Sequence, residues 1–138
     1  MIRYENRIPA ADYLRLRAAA GWKPISPKQA ENAVNRCFFS VCVRDEDRVI
    51  GMLRLLWNGD YCAYITDVIV EEAWRGRGIA TEMMRLAEER LRAKMEEGFT
   101  VKLFLMAAPG RESFYERFGF ARRPNEHAGA AMDRWIEK

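Results

Sequence analysis

Six consecutive residues, Arg75-Gly76-Arg77-Gly78-Ile79-Ala80, bring together the ingredients of an anion site. The two arginines supply permanently charged, forked donors that match phosphate oxygens. The two glycines let the backbone take sharp dihedrals and approach a ligand closely. A helix starting at Ile79 would add first-turn N–H groups without intrahelical partners and the positive end of the helix dipole. Basic glycine turns also cap ordinary surface helices, so the flanking elements decide between the two readings. Elsewhere chemistry is sparse. The single histidine, His127, has no paired metal-type spacing, which argues against a metal or Ser-His mechanism. Cys37, Cys42 and Cys62 are odd in number and lack C-x-x-C spacing, so neither a disulfide framework nor a zinc site is expected. Asp67 interrupts the apolar run Ala63–Val70, where alternation puts it on the same face as Ile65 and Ile69.

The elements that must position these residues follow from period and punctuation. Ile2 to Arg7 reads as a short strand ended by Pro9, and a helix runs from about Ala10 with Leu14, Leu16 and Ala18 as its stripe until Gly21 stops it. Ser26-Pro27 is an N-cap followed by proline at the first helical position, opening a second helix to about Arg36. Phe38–Val43 and Val49–Trp57 form a hairpin around the polar turn Arg44–Arg48. Asn58-Gly59-Asp60 is a tight-turn signal that returns a strand from Tyr61 to Val70. Beyond the glycine turn, Ala80, Met84, Ala87, Leu91 and Met95 share a helical face, flanked by Ile79, Met83 and Leu86, and Gly98 is expected to end that helix. Val101–Met106 is a strand, Arg111–Phe118 a short helix closed by Gly119, and Phe120–Arg123 with Ala130–Ile136 a last strand pair. The sum is an α+β layered fold, a mixed and mostly antiparallel sheet with one β-α-β crossover through the glycine turn.

Composition narrows the class. With 138 residues the chain is expected to be a single domain, 1–138. Its 49% hydrophobic, 12% aromatic and 31% charged residues suit a globular protein. No apolar stretch is long enough to span a membrane and the N-terminus lacks an apolar signal core, so a cytoplasmic location is expected. A net charge of +3, with acids interleaved among the bases, points to one small polyanion and away from nucleic acid.

Three phosphate-binding designs compete for the turn. G-x-G-x-x-G fails because position 81 is Thr, and because the next strand ends in Met106-Ala107-Ala108 where a ribose-binding carboxylate should stand. A Walker A loop fails because no Gly-Lys-Ser/Thr triplet occurs. The third design, Arg/Gln-x-x-Gly-x-Gly/Ala at a strand-to-helix junction, is met by Arg75 to Ala80. Here the chain resembles the GNAT superfamily of acyl-CoA-dependent N-acyltransferases, where this loop cradles the coenzyme A pyrophosphate. Phe114-Tyr115-Glu116-Arg117-Phe118-Gly119-Phe120 looks like the second signature of that superfamily, in the expected order and distance. Weaker likeness at Gly21-Trp22, Val49-Ile50-Gly51, Ile65–Val70 and Met132–Trp135 is similar to a subgroup of small bacterial and plastid-type acetyltransferases.

The resemblance implies a GNAT-like sheet with a central splay between two parallel strands, flanked by about four helices. It implies acetyl transfer from acetyl-CoA to a primary amine by direct attack in a ternary complex, with a non-catalytic acyl-CoA sensor as the alternative, and dimerisation as a family-level expectation only. Backbone groups of Val68, Ile69 and Val70 would pair with the pantetheine arm. Arg75, Gly76, Arg77, Gly78, Ile79, Ala80 and Thr81 would hold the pyrophosphate. Tyr115 aligns with the hydroxyl that protonates the leaving thiolate, or it is an aromatic core contact. Asp67, if its pKa is raised by partial burial, would accept a proton from the ammonium substrate or hold that cation, or it serves as a structural hydrogen-bond partner. Trp22 either lines the acceptor pocket or plugs the core, with Phe38 and Arg54 as further substrate contacts. Many relatives carry an Asn after the strand that follows the pyrophosphate helix. Here that loop is Ala107–Ser113, leaving backbone near Ala107, or Arg111 or Ser113, to meet the cofactor.

Overall fold

The turn and cap signals translate into elements in the computed structural model, which describes residues 1–138. In chain order these are β1 (Ile2–Glu5), α1 (Ala10–Ala19), α2 (Pro27–Arg36), β2 (Phe39–Asp45), β3 (Arg48–Trp57), β4 (Cys62–Val70), a 3-10 turn (Glu72–Trp74), α3 (Ile79–Lys94), β5 (Lys102–Leu105) and α4 (Glu112–Glu116). The chain forms two compact units, Met1–Leu103 and Phe104–Lys138. Ser26 caps α2 as its type requires, its Oγ accepting from the Gln29 N–H at 3.1 Å with Pro27 at the first helical position.

The strands lie in sequence order, and β1 through β4 pair antiparallel. β5 joins β4 as a parallel neighbour after the α3 crossover, its Lys102 N–H donating to the Tyr61 carbonyl at the start of β4. β3 is buried on both faces from Val49 to Leu53 because helices cover both. On one face Cys42, Met52 and Ile69 pack with Tyr13 and Leu16 of α1 and Ala30 of α2. α3 contacts β2, β3 and β4, burying Ile79, Met83, Met84, Ala87 and Leu91. Its Arg90 lies 4.8 Å from the Phe39 ring, which puts it on the face of Phe39 and its register partner Leu55.

A bulge in β4 changes the expected facing. Thr66 opposes Arg54 and Ile69 opposes Met52, so Asp67 and Val68 together stand against Leu53 alone. Asp67 takes the left-handed conformation this needs, φ 57°, which Asp tolerates better than most residues. An inserted residue inverts every later side chain. Ile65 therefore shares the Leu55 face and Ile69 the Met52 face, and simple alternation, which placed both with Asp67, does not hold.

Four further expectations are corrected. On α1, Tyr13 and Leu16 are buried with Leu14 packed partly buried against the same core, and Ala18, expected in the stripe, is exposed. α3 ends at Lys94 and not at Gly98, with Met95 already extended, because Glu96 and Glu97 are acids at the negative end of a helix whose last turn holds Arg92 and Lys94. In the second unit α4 is shorter than expected, and Phe120–Arg123 and Ala130–Ile136 form no strands. That region holds one isolated bridge, Asn125 to Ala128. Pro124 lacks a donor there, and Arg122 and Arg123 spend their guanidinium groups on Glu116, Ser113 and the Gly129 carbonyl.

Candidate active site

The segment from Val70 to Thr81 is built from the strand upward. Val70 pairs with Gly51, and the Glu71 N–H donates to the Ile50 carbonyl at 2.8 Å, fixing the exit of β4. The Glu71 carboxylate then takes Arg15 at 2.6 Å and Arg48 at 2.9 Å. Burial opposes the Glu71 charge, but these two arginines outweigh it and hold its carboxyl below the usual range. Trp74 is clamped by its indole N–H to Asp45 at 2.9 Å. Neither Trp74 nor Glu71 stands out in the sequence, and both anchor the loop.

Between these anchors and α3 the chain makes its glycine turn. Gly76 and Gly78 have φ of 77° and 79°, and a Cβ at either would meet nothing within 4 Å. The glycines are therefore required by dihedral, while the space outside them is open. Gly78 occupies the N-cap of α3 and, having no side chain, leaves the N–H groups of Ile79, Ala80 and Thr81 uncapped. Arg75 and Arg77 are exposed and bond only to the carbonyls of Val70 and Ala73. Glu82 in the first turn is tied to Arg85 at 2.7 Å, which weakens its competition for an anion at the helix end. Open glycine backbone, free first-turn N–H groups and two exposed guanidinium groups fit a pyrophosphate.

A second constellation gathers on the α1 face of the bulge. Asp67, 7% exposed, accepts from the Tyr13 hydroxyl at 2.6 Å, from Arg54 Nε at 2.7 Å and from Arg17 at 3.3 Å. Tyr13 and Arg17 reach it together because residues four apart on α1 share a face. Arg17 also donates to the Lys23 carbonyl and Arg54 to the Ala33 carbonyl. The end of α1 places Trp22: Gly21, at φ 77°, lets its N–H reach the Ala18 carbonyl and the Trp22 N–H reach that of Arg17, a Schellman turn. The indole then lies 5.4 Å from the Arg17 guanidinium. Burial, and next the Asp67 charge, push the Tyr13 hydroxyl up to about 12. Burial opposes the charge on Arg54, yet Asp67 raises its pKa.

The expected acceptor-side residues thus divide. Asp67, Arg54 and Trp22 meet through Arg17, whereas Phe38 packs edge-on against Trp57 at 5.2 Å. Tyr13 and Arg17 were missed in sequence because their spacing on α1 looks like any surface pair; only the bulge reveals their partner. In the second unit Tyr115 is buried between Phe114 and Phe120, with centroids at 5.0 and 6.3 Å. Burial raises its hydroxyl pKa, opposed in smaller part by Arg111. That hydroxyl makes no hydrogen bond within the protein and is not among the sealed polar atoms. Ser113 is exposed and accepts from Arg122 at 3.2 Å, and Ala107 is half-buried.

Residues 8–120 match the model of the acetyltransferase (GNAT) family. A structure from methicillin-resistant Staphylococcus aureus, described as a protein of unknown function and probable acetyltransferase, is 26% identical with a TM-score of 0.85, over 98% of this chain and 100% of that one. A GNAT family acetyltransferase from Streptococcus pneumoniae is 22% identical with a TM-score of 0.80, over 100% and 99%. A predicted acetyltransferase with acetyl-CoA from Clostridium acetobutylicum is 21% identical with a TM-score of 0.65, over 100% and 96%. No curated protein matches the chain.

Proposed function

The chain belongs to the GNAT acetyltransferase family, and from that premise we propose that it transfers an acetyl group from acetyl-CoA to a primary amine by direct attack in a ternary complex. The observation that carries this reading is the strand–turn–helix from Val70 to Thr81, with uncapped N–H groups and exposed Arg75 and Arg77 where a pyrophosphate would sit. Acetyl-CoA supplies an activated acetyl thioester. Val68, Ile69 and Val70 offer β4 backbone to its amide arm, and Arg75 to Thr81 hold its phosphates. Ala107 and Ser113 enter as further cofactor contacts by resemblance to the family pattern.

Tyr115 is the proposed general acid: as the amine nitrogen bonds to the acetyl carbon and the C–S bond breaks, its O–H proton passes to the departing sulfur, and the proton lost by the nitrogen goes to water, which returns one to the tyrosine oxygen. A hydroxyl that is spent on no protein acceptor suits that task. Asp67 belongs to the acceptor side with Trp22, Arg54 and Phe38. Its oxygens already accept from Tyr13, Arg17 and Arg54, so we assign it the positioning of those groups ahead of proton abstraction. In this reading residues 1–138 are one catalytic domain that acts in the cytoplasm on acetyl-CoA and an amine.

Calorimetry with acetyl-CoA and a free-thiol release assay over a panel of amines test the reading together. Expected are saturable binding and amine-dependent thiol release, with affinity falling at least tenfold when Arg75 and Arg77 are both changed to alanine. Tight binding without release on any amine would replace this reading with that of a sensor.

A further inference from the structure

The cluster around Asp67 carries more positive charge than it neutralises. Arg17 and Arg54, with side chains 12% and 13% exposed, face the single carboxylate of Asp67, which is 5% exposed. The only other titratable group bonded to that carboxylate is Tyr13, which its raised pKa keeps neutral. The cluster is therefore left with one net positive charge in a largely desolvated place, where unpaired charge is costly. Hydrogen bonding is also incomplete. Each guanidinium carries five N–H groups, and only two of each are spent, on Asp67 with Lys23 and on Asp67 with Ala33. Arg17 Nε is the one buried side-chain polar atom without a partner. Two aromatic faces, Tyr13 at 5.7 Å and Trp22 at 5.4 Å, hold the Arg17 guanidinium in place, and Tyr13 also flanks Arg54 at 5.6 Å.

From these observations we propose that the Arg17–Arg54 pair is the recognition subsite for a carboxylate on the acceptor, so that the substrate is an amine that also bears a carboxylic acid. The carboxylate supplies the missing charge and accepts from the unspent guanidinium N–H groups, in the forked geometry that arginine favours. Asp67 aligns both arginines, and Trp22 and Tyr13 form the walls. A small neutral amine leaves the buried charge unmatched, so the subsite selects against it. This inference rests on the acetyl-transfer reading for the identity of the substrate, while anion binding itself can be tested without turnover.

Acceptors are compared in pairs that share the amine and differ only in carrying a carboxylate or its carboxamide, with kcat/KM taken from thiol release. The carboxylate member is expected to be favoured about tenfold or more, the equivalent of roughly 1.4 kcal/mol. In Arg17→Gln that preference falls toward parity while acetyl-CoA affinity is kept. Equal kcat/KM within the pairs for the unmodified protein overturns the proposal, whether or not the variant folds. If no pair is turned over, succinate and succinamide are titrated into protein labelled with 15N at arginine, the Arg17 Nε resonance being identified by its loss in Arg17→Lys. A saturable shift with succinate and none with succinamide sustains the anion subsite and removes the acetyl-transfer reading alone. No shift, or the same shift with both, overturns the subsite.

Discussion

Tyr115 and Asp67 are both acids by chemistry, and their surroundings differ. Tyr115 is buried among rings yet its hydroxyl is unspent, and burial raises its pKa above the ordinary tyrosine value of 10. A raised pKa keeps the proton on the oxygen further into the alkaline range, so the general-acid form should persist beyond pH 10. On an accepted amine, Tyr115→Phe should lower kcat by about a hundredfold, the low end of what a placed acid contributes. The fall of kcat at high pH should lie above 10 in the unmodified protein and vanish in the variant. Undiminished turnover in Tyr115→Phe would return the residue to packing alone. The sequence showed both acids by type and, for Tyr115, by motif. It did not show that Asp67 would be engaged three times over, since Tyr13, Arg17 and Arg54 lie 54, 50 and 13 residues away from it in the chain.

At the scale of elements, the bulge in β4 is what turns Asp67 toward α1 and lets a strand, a helix and a neighbouring strand share one carboxylate. Asp67→Asn tests this cleanly, because Asn keeps the shape and tolerates the same left-handed backbone. It removes the charge and leaves two buried guanidinium groups uncompensated, so a loss of about 3 kcal/mol is expected in urea unfolding, within the range for breaking a buried pair from one side. An unchanged midpoint would mean that the cluster contributes nothing to holding α1 on the sheet. Elements with local signals were legible: Ser26-Pro27 opened α2, Asn58-Gly59 returned β4, and Gly76 and Gly78 bent the chain into α3. Those that depend on distant partners were not. A bulge at a residue other than glycine has no period of its own, and the apolar residues between Ala130 and Ile136 read as a strand although the sheet ends without them.

For the molecule as a whole, the open alternative to direct attack is a two-stage transfer through an acylated side chain, and thiols are the natural nucleophiles for it. Cys42 is fully buried, and that burial pushes its thiol up to about 11, so a reactive thiolate at neutral pH is not available there. Cys37 Sγ donates to the Val34 carbonyl at 3.9 Å, and Cys62 opens β4 in the tight turn where Asp60 accepts its backbone N–H. Neither stands in the segment from Val70 to Thr81 that would hold the phosphates, although Cys37 lies within electrostatic reach of Arg54. On the proposed direct attack, both substrates are bound before a bond is made. Initial rates measured over a grid of acetyl-CoA and amine concentrations should therefore give intersecting double-reciprocal lines, and a triple change of Cys37, Cys42 and Cys62 to alanine should retain amine acetylation after any loss of stability from the buried position is allowed for. Parallel lines, together with an acetyl group recovered on a cysteine after incubation with acetyl-CoA alone, would establish the two-stage route instead.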